Sequence, residues 1–147
     1  MISCRAPKPS SGVDQRAIDA PISLGTAAAG EDGNVYLMRA TMMPFIYVIS
    51  PGGEVLRRLA IKPPTKNAMV GTMKVATGKV IVMFQEDTGG PAARQIFTLG
   101  DAQTGEKLGE LYSTPEIGGA LACYTAEGLT FVAGRDGKLV LLRAVPQ

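Results

Sequence analysis

Acidic side chains beside apolar runs are the residues of this chain with the clearest chemical potential. They are Glu31-Asp32, Glu86-Asp87, Asp101 and Asp136. Carboxylates in loops can hold calcium, but neighbours in an extended chain point to opposite sides, and Asp before Gly is an ordinary turn choice. We therefore interpret these acids as turn residues. The sequence predicts no catalytic residue, no metal ligand and no cofactor-binding residue, and hence no cofactor.

Nucleophilic and zinc chemistry lack the residues that they need. The chain has no histidine, which is the commonest general base and a frequent metal ligand. Its two cysteines, Cys4 and Cys123, lie far apart in sequence, so a structural zinc site is not expected. A disulfide would need Cα atoms roughly 4.4–6.8 Å apart, which the sequence does not establish. We interpret Cys123 as a buried structural thiol and Cys4 as unpaired, and the cellular compartment stays open.

Charge is nearly balanced overall but uneven along the chain. The net charge of +2 is too small to predict a nucleic-acid partner. No acid occurs between Glu54 and Glu86, whereas six basic residues do: Arg57, Arg58, Lys62, Lys66, Lys74 and Lys79. We interpret them as solvated side chains spread over different strands and loops, and Arg57-Arg58 as guards of an outer strand against aggregation. The alternative is a basic surface that faces an acidic partner.

Short apolar runs between turn residues predict an all-β fold. The strongest runs are rich in β-branched or aromatic residues and cover residues 34–38, 45–49, 79–84, 95–99, 129–133 and 138–142. None keeps a helical spacing. Turns such as Asp32-Gly33-Asn34 and Asp136-Gly137-Lys138 separate them, which predicts hairpins and antiparallel meanders. Residues 1–20 are polar, proline-rich and aperiodic, and form a predicted tail or linker.

The pattern of each run predicts how the strand is buried. Residues 80–84 and 139–142 are apolar without alternation, so we expect a sheet against each of their faces. Residues 54–59 and 106–111 mix charge with leucine, as outer, partly exposed strands do. The Met42-Met43-Pro44 turn either offers an apolar contact or is tucked against a neighbouring strand. No run approaches the ~20 apolar residues of a membrane span, and the start of the chain lacks the apolar core of a secretory signal.

Two segments repeat in the same order along the chain. Gly33-Asn-Val-Tyr-Leu-Met, Gly78-Lys-Val-Ile-Val-Met and Gly128-Leu-Thr-Phe-Val-Ala align at offsets of 45 and 50 residues. Gly53-Glu-Val-Leu and Gly105-Glu-Lys-Leu align at an offset of 52. A period of about 40–50 residues that holds four strands is typical of a β-propeller blade. The sequence thus predicts antiparallel four-stranded meander blades, about two and a half of them, at residues 22–60, 67–113 and 118–145.

Two stretches resemble the blades of known propeller families. Tyr47-Val-Ile-Ser-Pro-Gly-Gly-Glu-Val-Leu-Arg-Arg-Leu resembles the outer hairpin of NHL-type six-bladed β-propellers. Leu99-Gly-Asp-Ala-Gln-Thr-Gly-Glu-Lys-Leu resembles the blade repeat of quinoprotein-type (PQQ-like) propellers, although the tryptophan that usually closes that motif is absent. The resemblance covers roughly residues 22–145 and implies a propeller fold.

The number of blades shapes the functional expectation. Closed propellers need about four to eight blades, so two and a half leave the apolar faces of the first and last units bare. We expect the C-terminal part of a longer propeller or a chain that self-associates to complete one. The predicted function is a non-enzymatic binding or scaffolding module for an unknown protein or small ligand. The alternative is part of a propeller enzyme, a quinoprotein-like dehydrogenase or a metal-dependent hydrolase, whose catalytic residues lie on missing blades.

Overall fold

The protein is built from β-strands. The computed structural model describes residues 26–39, 41–86, 94–112, 120–125 and 128–144. These ranges hold eleven strands: β1 (Ala27–Ala29), β2 (Val35–Arg39), β3 (Phe45–Ile49), β4 (Val55–Ala60), β5 (Ala68–Ala76), β6 (Lys79–Glu86), β7 (Arg94–Asp101), β8 (Lys107–Tyr112), β9 (Ala120–Thr125), β10 (Gly128–Arg135) and β11 (Lys138–Ala144). Across the described ranges there is no helix that is long and apolar enough to cross a membrane. The predicted tail, residues 1–20, lies outside them.

The strands form three antiparallel meanders. The first sheet has the order β1-β2-β3-β4, the middle sheet β5-β6-β7-β8, and the third sheet β9-β10-β11. Every neighbouring pair is antiparallel. The predicted all-β fold of four-stranded meanders is therefore confirmed for the first two sheets, and the third sheet has three strands in the part of the chain that is described.

Two-residue turns close two of the hairpins, and the sequence predicts the one at Asp136-Gly137. Thr77 and Gly78 have φ angles of 50° and 73°, and Asp136 and Gly137 have φ angles of 52° and 72°. Two consecutive residues with positive φ match the right-handed twist of the flanking strands, and glycine takes this conformation without a steric penalty. These turns set the registers in which Ala76 pairs with Lys79 and Arg135 pairs with Lys138.

The aligned Gly-Glu segments form similar turns in the first two sheets, and the turn in the middle sheet is one residue longer. Gly53 and Gly105 have φ angles of 87° and 77°. In the first sheet the Ser50 N–H donates to the Glu54 carbonyl at 2.8 Å, and in the middle sheet the Asp101 N–H donates to the Glu106 carbonyl at 2.8 Å. Each segment leads into an edge strand, β4 or β8. Exposed residues alternate with more buried ones along β4, and all residues of β8 are exposed or half-buried. The predicted outer strands are thus confirmed.

The first sheet packs face to face on the middle sheet. Buried side chains from both sheets form one cluster. The first sheet and the residue after it contribute Tyr36, Met38, Ile46, Val48, Leu59 and Ile61, and the middle sheet with its last turn contributes Met73, Val80, Val82, Phe84, Ile96 and Ala102. The alternation of side chains along a strand explains the grouping, since Val80, Val82 and Phe84 share one face of β6.

The other face of the middle sheet packs on the third sheet. Ile81, Phe97 and Leu99 of the middle sheet cluster with Leu129 and Phe131 of the third. The rings of Phe97 and Phe131 meet edge to face, with centroids 5.2 Å apart and planes at 72°. The middle sheet is therefore covered on both faces, as its continuous apolar run at residues 80–84 predicts.

The first strands of the three sheets lie on the same side of the stack. β1 contacts β5, and β5 contacts β9. Each of these strands is the first edge of its own sheet. The sheets therefore succeed one another in chain order, with their initial strands adjacent.

The outer face of the third sheet is bare among the described residues. Leu139 and Leu141 are 83% and 73% exposed, whereas Leu142 packs against the cluster that the third sheet shares with the middle sheet. The expectation that residues 139–142 are covered on both faces is therefore wrong. Alternation and strand pairing place five residues on this surface, which we call the end face: Thr130, Val132, Leu139, Leu141 and Arg143.

The outer face of the first sheet differs from the end face. Tyr47 and Ile49 are only 7% and 3% exposed. The guanidinium of Arg58 lies 3.8 Å from the ring centre of Phe45, a cation–π contact that covers this ring. The expectation of a bare apolar face is thus wrong at these positions of the first sheet and correct at the third.

Candidate binding groove

A groove of about 1340 Å³ opens at one edge of the first and middle sheets. One wall is the loop that joins β2 to β3, and the other is the segment that joins β4 to β5 together with the start of β5. The lining residues are Thr41, Met42, Met43, Lys62, Pro63, Pro64, Thr65, Lys66, Asn67, Ala68, Met69 and Val70. We call this surface the methionine groove.

Three methionines give the groove its apolar character. Met42 is 89% exposed, Met43 60% and Met69 73%. Large apolar side chains at this exposure, concentrated in one concave site, are typical of surfaces that bind a partner. Methionine is flexible and polarisable, so it adapts to irregular apolar surfaces. The sequence left two interpretations of residues 42–44, an apolar contact surface or a turn tucked against a neighbouring strand. The exposure of Met42 and Met43 supports the apolar contact surface.

Hydrogen bonds hold the methionine loop in place. The Thr41 hydroxyl donates to the Met43 carbonyl at 2.8 Å. The Ile61 N–H donates to the Pro44 carbonyl at 3.0 Å, and Pro44 itself is buried. Met42 and Met43 are thus presented to solvent by a backbone that is tied to the end of β4.

Two exposed lysines, Lys62 and Lys66, stand at the groove. Neither forms an ion pair with another residue of the described ranges. The acid at this edge, Glu86, accepts hydrogen bonds from the Thr65 hydroxyl and from Arg94, the latter at 2.8 Å. Since Arg94 already balances Glu86, the described residues at the groove carry an excess of positive charge.

The wall behind Thr65 is part of a longer polar network along the middle sheet. Arg94 lies 4.6 Å from the ring centre of Tyr112, and the Tyr112 hydroxyl donates to Glu110 at 2.9 Å. This hydrogen bond raises the pKa of Tyr112. Glu110 also accepts from Lys107. Strands β6, β7 and β8 are therefore linked by side chains as well as by their backbones at this edge.

A second polar network joins the first and middle sheets away from the groove. The Tyr36 hydroxyl donates to Asp32 at 2.7 Å. Arg57 donates to the Tyr36 hydroxyl at 3.2 Å and to the Ala102 carbonyl from two nitrogens, at 2.8 and 3.0 Å. Arg57, interpreted from sequence as an edge guard, is thus a link between two sheets. The sequence missed this role because its acceptor is a backbone carbonyl 45 residues away.

The second network shifts two pKa values in opposite directions. Burial, and then the hydrogen bond to Asp32, raises the pKa of Tyr36 to about 12. Partial burial also raises the pKa of Asp32, but the hydrogen bonds from Tyr36 and Asn34 outweigh it, so the net pKa lies below its usual value. Both shifts favour a neutral tyrosine that donates to a charged carboxylate.

The raised pKa of Tyr36 predicts an alkaline loss of stability. A tyrosine whose pKa is higher in the folded state stabilises that state fully below the unfolded pKa of about 10, and the contribution is lost as pH rises through about 12. Tyr36→Phe should cost about 1 kcal/mol at neutral pH and flatten the decline above pH 10. Urea unfolding across this pH range measures both quantities. Parallel declines in wild type and Tyr36→Phe would contradict the assignment.

The other acids singled out from sequence act as turn or strand residues. Asp101 accepts hydrogen bonds from the N–H groups of Gln103 and Thr104, at 2.7 and 3.1 Å, and these bonds lower its pKa. Asp136 lies in a hairpin turn, and Asp87 is outside the described residues. No group of three or more His, Cys, Asp or Glu residues that could hold a metal ion occurs in the described ranges.

The cysteine interpretation is not resolved by the structure. Cys123 lies on β9, and Cys4 is outside the described residues. The unpaired Cys4 and the buried thiol of Cys123 stay predictions.

Comparison with known proteins does not assign this chain to a family. No family model, no curated protein and no solved structure matches it. The methionine groove and the end face are therefore the surfaces from which a function can be inferred.

Proposed function

We propose that the chain is a non-enzymatic binding module built on a partial β-propeller. Three meander sheets stack face to face in chain order, and their first strands are adjacent. Blades around a propeller axis have this relation. Because closed propellers need about four to eight blades, three sheets make part of a ring.

The faces that point along the order of the sheets support a further sheet on the end face. On the first sheet this face carries Met38 and Ile46, and on the middle sheet Met83 and Phe97, and each pair packs in the cluster shared with the sheet that follows. The same face of the third sheet carries Leu141, which is exposed. For the isolated chain, the sheet that can cover it belongs to a second copy.

The methionine groove is the observation that carries the binding function. It joins three exposed methionines on two walls that come from different sheets. Concave apolar surfaces of this kind bind ligands whose apolar side chains they remove from water. We propose that the ligand is a segment of a partner protein, which places apolar side chains between Met42, Met43 and Met69.

Fluorescence anisotropy with a neutral apolar peptide tests this function. The labelled peptide carries Leu and Phe separated by Ser and Gln, so that its affinity reports apolar contact alone. We expect saturable binding that Met43→Asp with Met69→Asp weakens at least tenfold, because each new charge opposes desolvation of the groove.

Leu108→Asp is the matched control for this pair of substitutions. Leu108 is 50% exposed on β8 and does not line the groove. The Leu108→Asp substitution also replaces an exposed apolar side chain by a charged one, but outside the groove. The affinity of this variant for the peptide should therefore equal that of wild type. Equal affinity of all three proteins would reject the groove as the binding site.

A further inference from the structure

We propose that the methionine groove selects acidic segments, in which carboxylates stand beside apolar side chains. This inference rests on the proposed function of the groove and adds the chemical class of its partner. Apolar recognition comes from the methionines, and charge recognition comes from the two lysines at the groove.

The charges around the groove argue for an acidic ligand. Lys62 and Lys66 are exposed and have no ion-pair partner within the described residues. The chain carries no acid between Glu54 and Glu86, and Glu86 is occupied by Thr65 and Arg94. A ligand carboxylate would therefore meet attraction from both lysines without repulsion from an unpaired acid of this segment.

The shape and composition of the groove favour a peptide over other anionic partners. Pro63 and Pro64 lie in its lining, and proline fixes the backbone of this wall. The exposed apolar groups stand on two walls around a concave space, which suits a chain segment better than a flat membrane surface. No Phe, Tyr or Trp is found among the described residues that line the groove, so these residues offer no stacking platform of the kind on which single-stranded nucleic acids are bound.

A panel of three labelled peptides separates the charge contribution from the apolar one. The peptides share their Leu and Phe positions and carry Glu, Gln or Lys between them. We expect the Glu peptide to bind roughly tenfold more tightly than the Gln peptide, and the Lys peptide to bind least. The advantage of the Glu peptide should shrink as ionic strength rises from about 0.05 M to about 0.5 M, since salt screens exposed charges.

Charge reversal at the groove tests whether the two lysines cause the preference. Lys62→Glu with Lys66→Glu should remove the advantage of the Glu peptide and leave binding of the Gln peptide unchanged. Lys138→Glu is the matched control, because Lys138 is an exposed lysine in a hairpin of the third sheet and should leave the preference intact.

The other possible results distinguish failure of this inference from failure of the proposed function. Equal binding of the Glu and Gln peptides rejects the inference but leaves the proposed function standing. Absence of binding by the Gln peptide rejects the proposed function itself. Binding to phosphatidylserine vesicles that is tighter than binding to the Glu peptide, and is lost on Lys62→Glu with Lys66→Glu, would replace the acidic segment with a membrane surface.

Discussion

Truncation of Phe84 to alanine is expected to lower the free energy of unfolding by about 3–5 kcal/mol. Phe84 is fully buried in the cluster between the first and middle sheets. It pairs across β6 and β7 with Ile96, which is also fully buried. Removal of the ring leaves a cavity that close-packed neighbours on two sheets can fill only partly. Such a loss is a large fraction of the roughly 5–15 kcal/mol by which domains are stable.

Chemical denaturation measures this loss, and an exposed residue provides its control. Leu56 is 46% exposed on the edge strand β4, so Leu56→Ala should cost less than about 1 kcal/mol. A loss below about 1 kcal/mol for Phe84→Ala as well would show that the first and middle sheets do not pack as described.

Replacement of both exposed leucines of the end face by aspartate is expected to abolish the proposed self-association. Leu139 and Leu141 are 83% and 73% exposed. Burying a leucine side chain is worth about 1.5–3 kcal/mol, so the pair can supply roughly 3–6 kcal/mol to an interface. Aspartates there would need to lose their hydration without a compensating partner. We expect the dissociation constant of the assembly to rise more than about a hundredfold.

Sedimentation velocity over a range of concentrations measures this change. Leu56→Asp with Leu108→Asp is the matched control, since it places the same charges at exposed leucines of the edge strands β4 and β8. Loss of association in the control but not in the end-face variant would locate the interface on the outer strands and contradict the role of the end face.

The strands, the meanders and the covered middle sheet could be predicted from sequence because their causes are local. The continuous apolar run at residues 80–84 requires cover on both faces wherever the neighbouring sheets come from. Gly53 and Gly105 recur before a Glu, and both have the positive φ that makes the turn into an edge strand. Repetition of a local conformation is visible in sequence as repetition of the residue that allows it.

The end face shows where such reasoning stops. Residues 80–84 and 139–142 have the same apolar pattern, but only the first run has a sheet on each side among the described residues. The apolar pattern predicts a strand. Whether both faces of that strand are packed against other sheets depends on the position of its sheet in the stack.

The methionine groove could be predicted only in part. The exposed turn at Met42 and Met43 was recognisable as a candidate apolar contact. Met69 lies on β5 in the middle sheet and reaches the same groove only through the stacking of two sheets. The lysines were interpreted as dispersed solvated residues for the same reason. A spacing rule along the chain does not reveal a site whose walls belong to separate sheets.

Light scattering after size exclusion on the purified chain tests most directly whether it is part of a propeller. We predict a defined assembly of two or more copies, because the end face exposes Leu139 and Leu141 where a further sheet would pack. A compact monomer whose mass does not change with concentration would contradict that prediction.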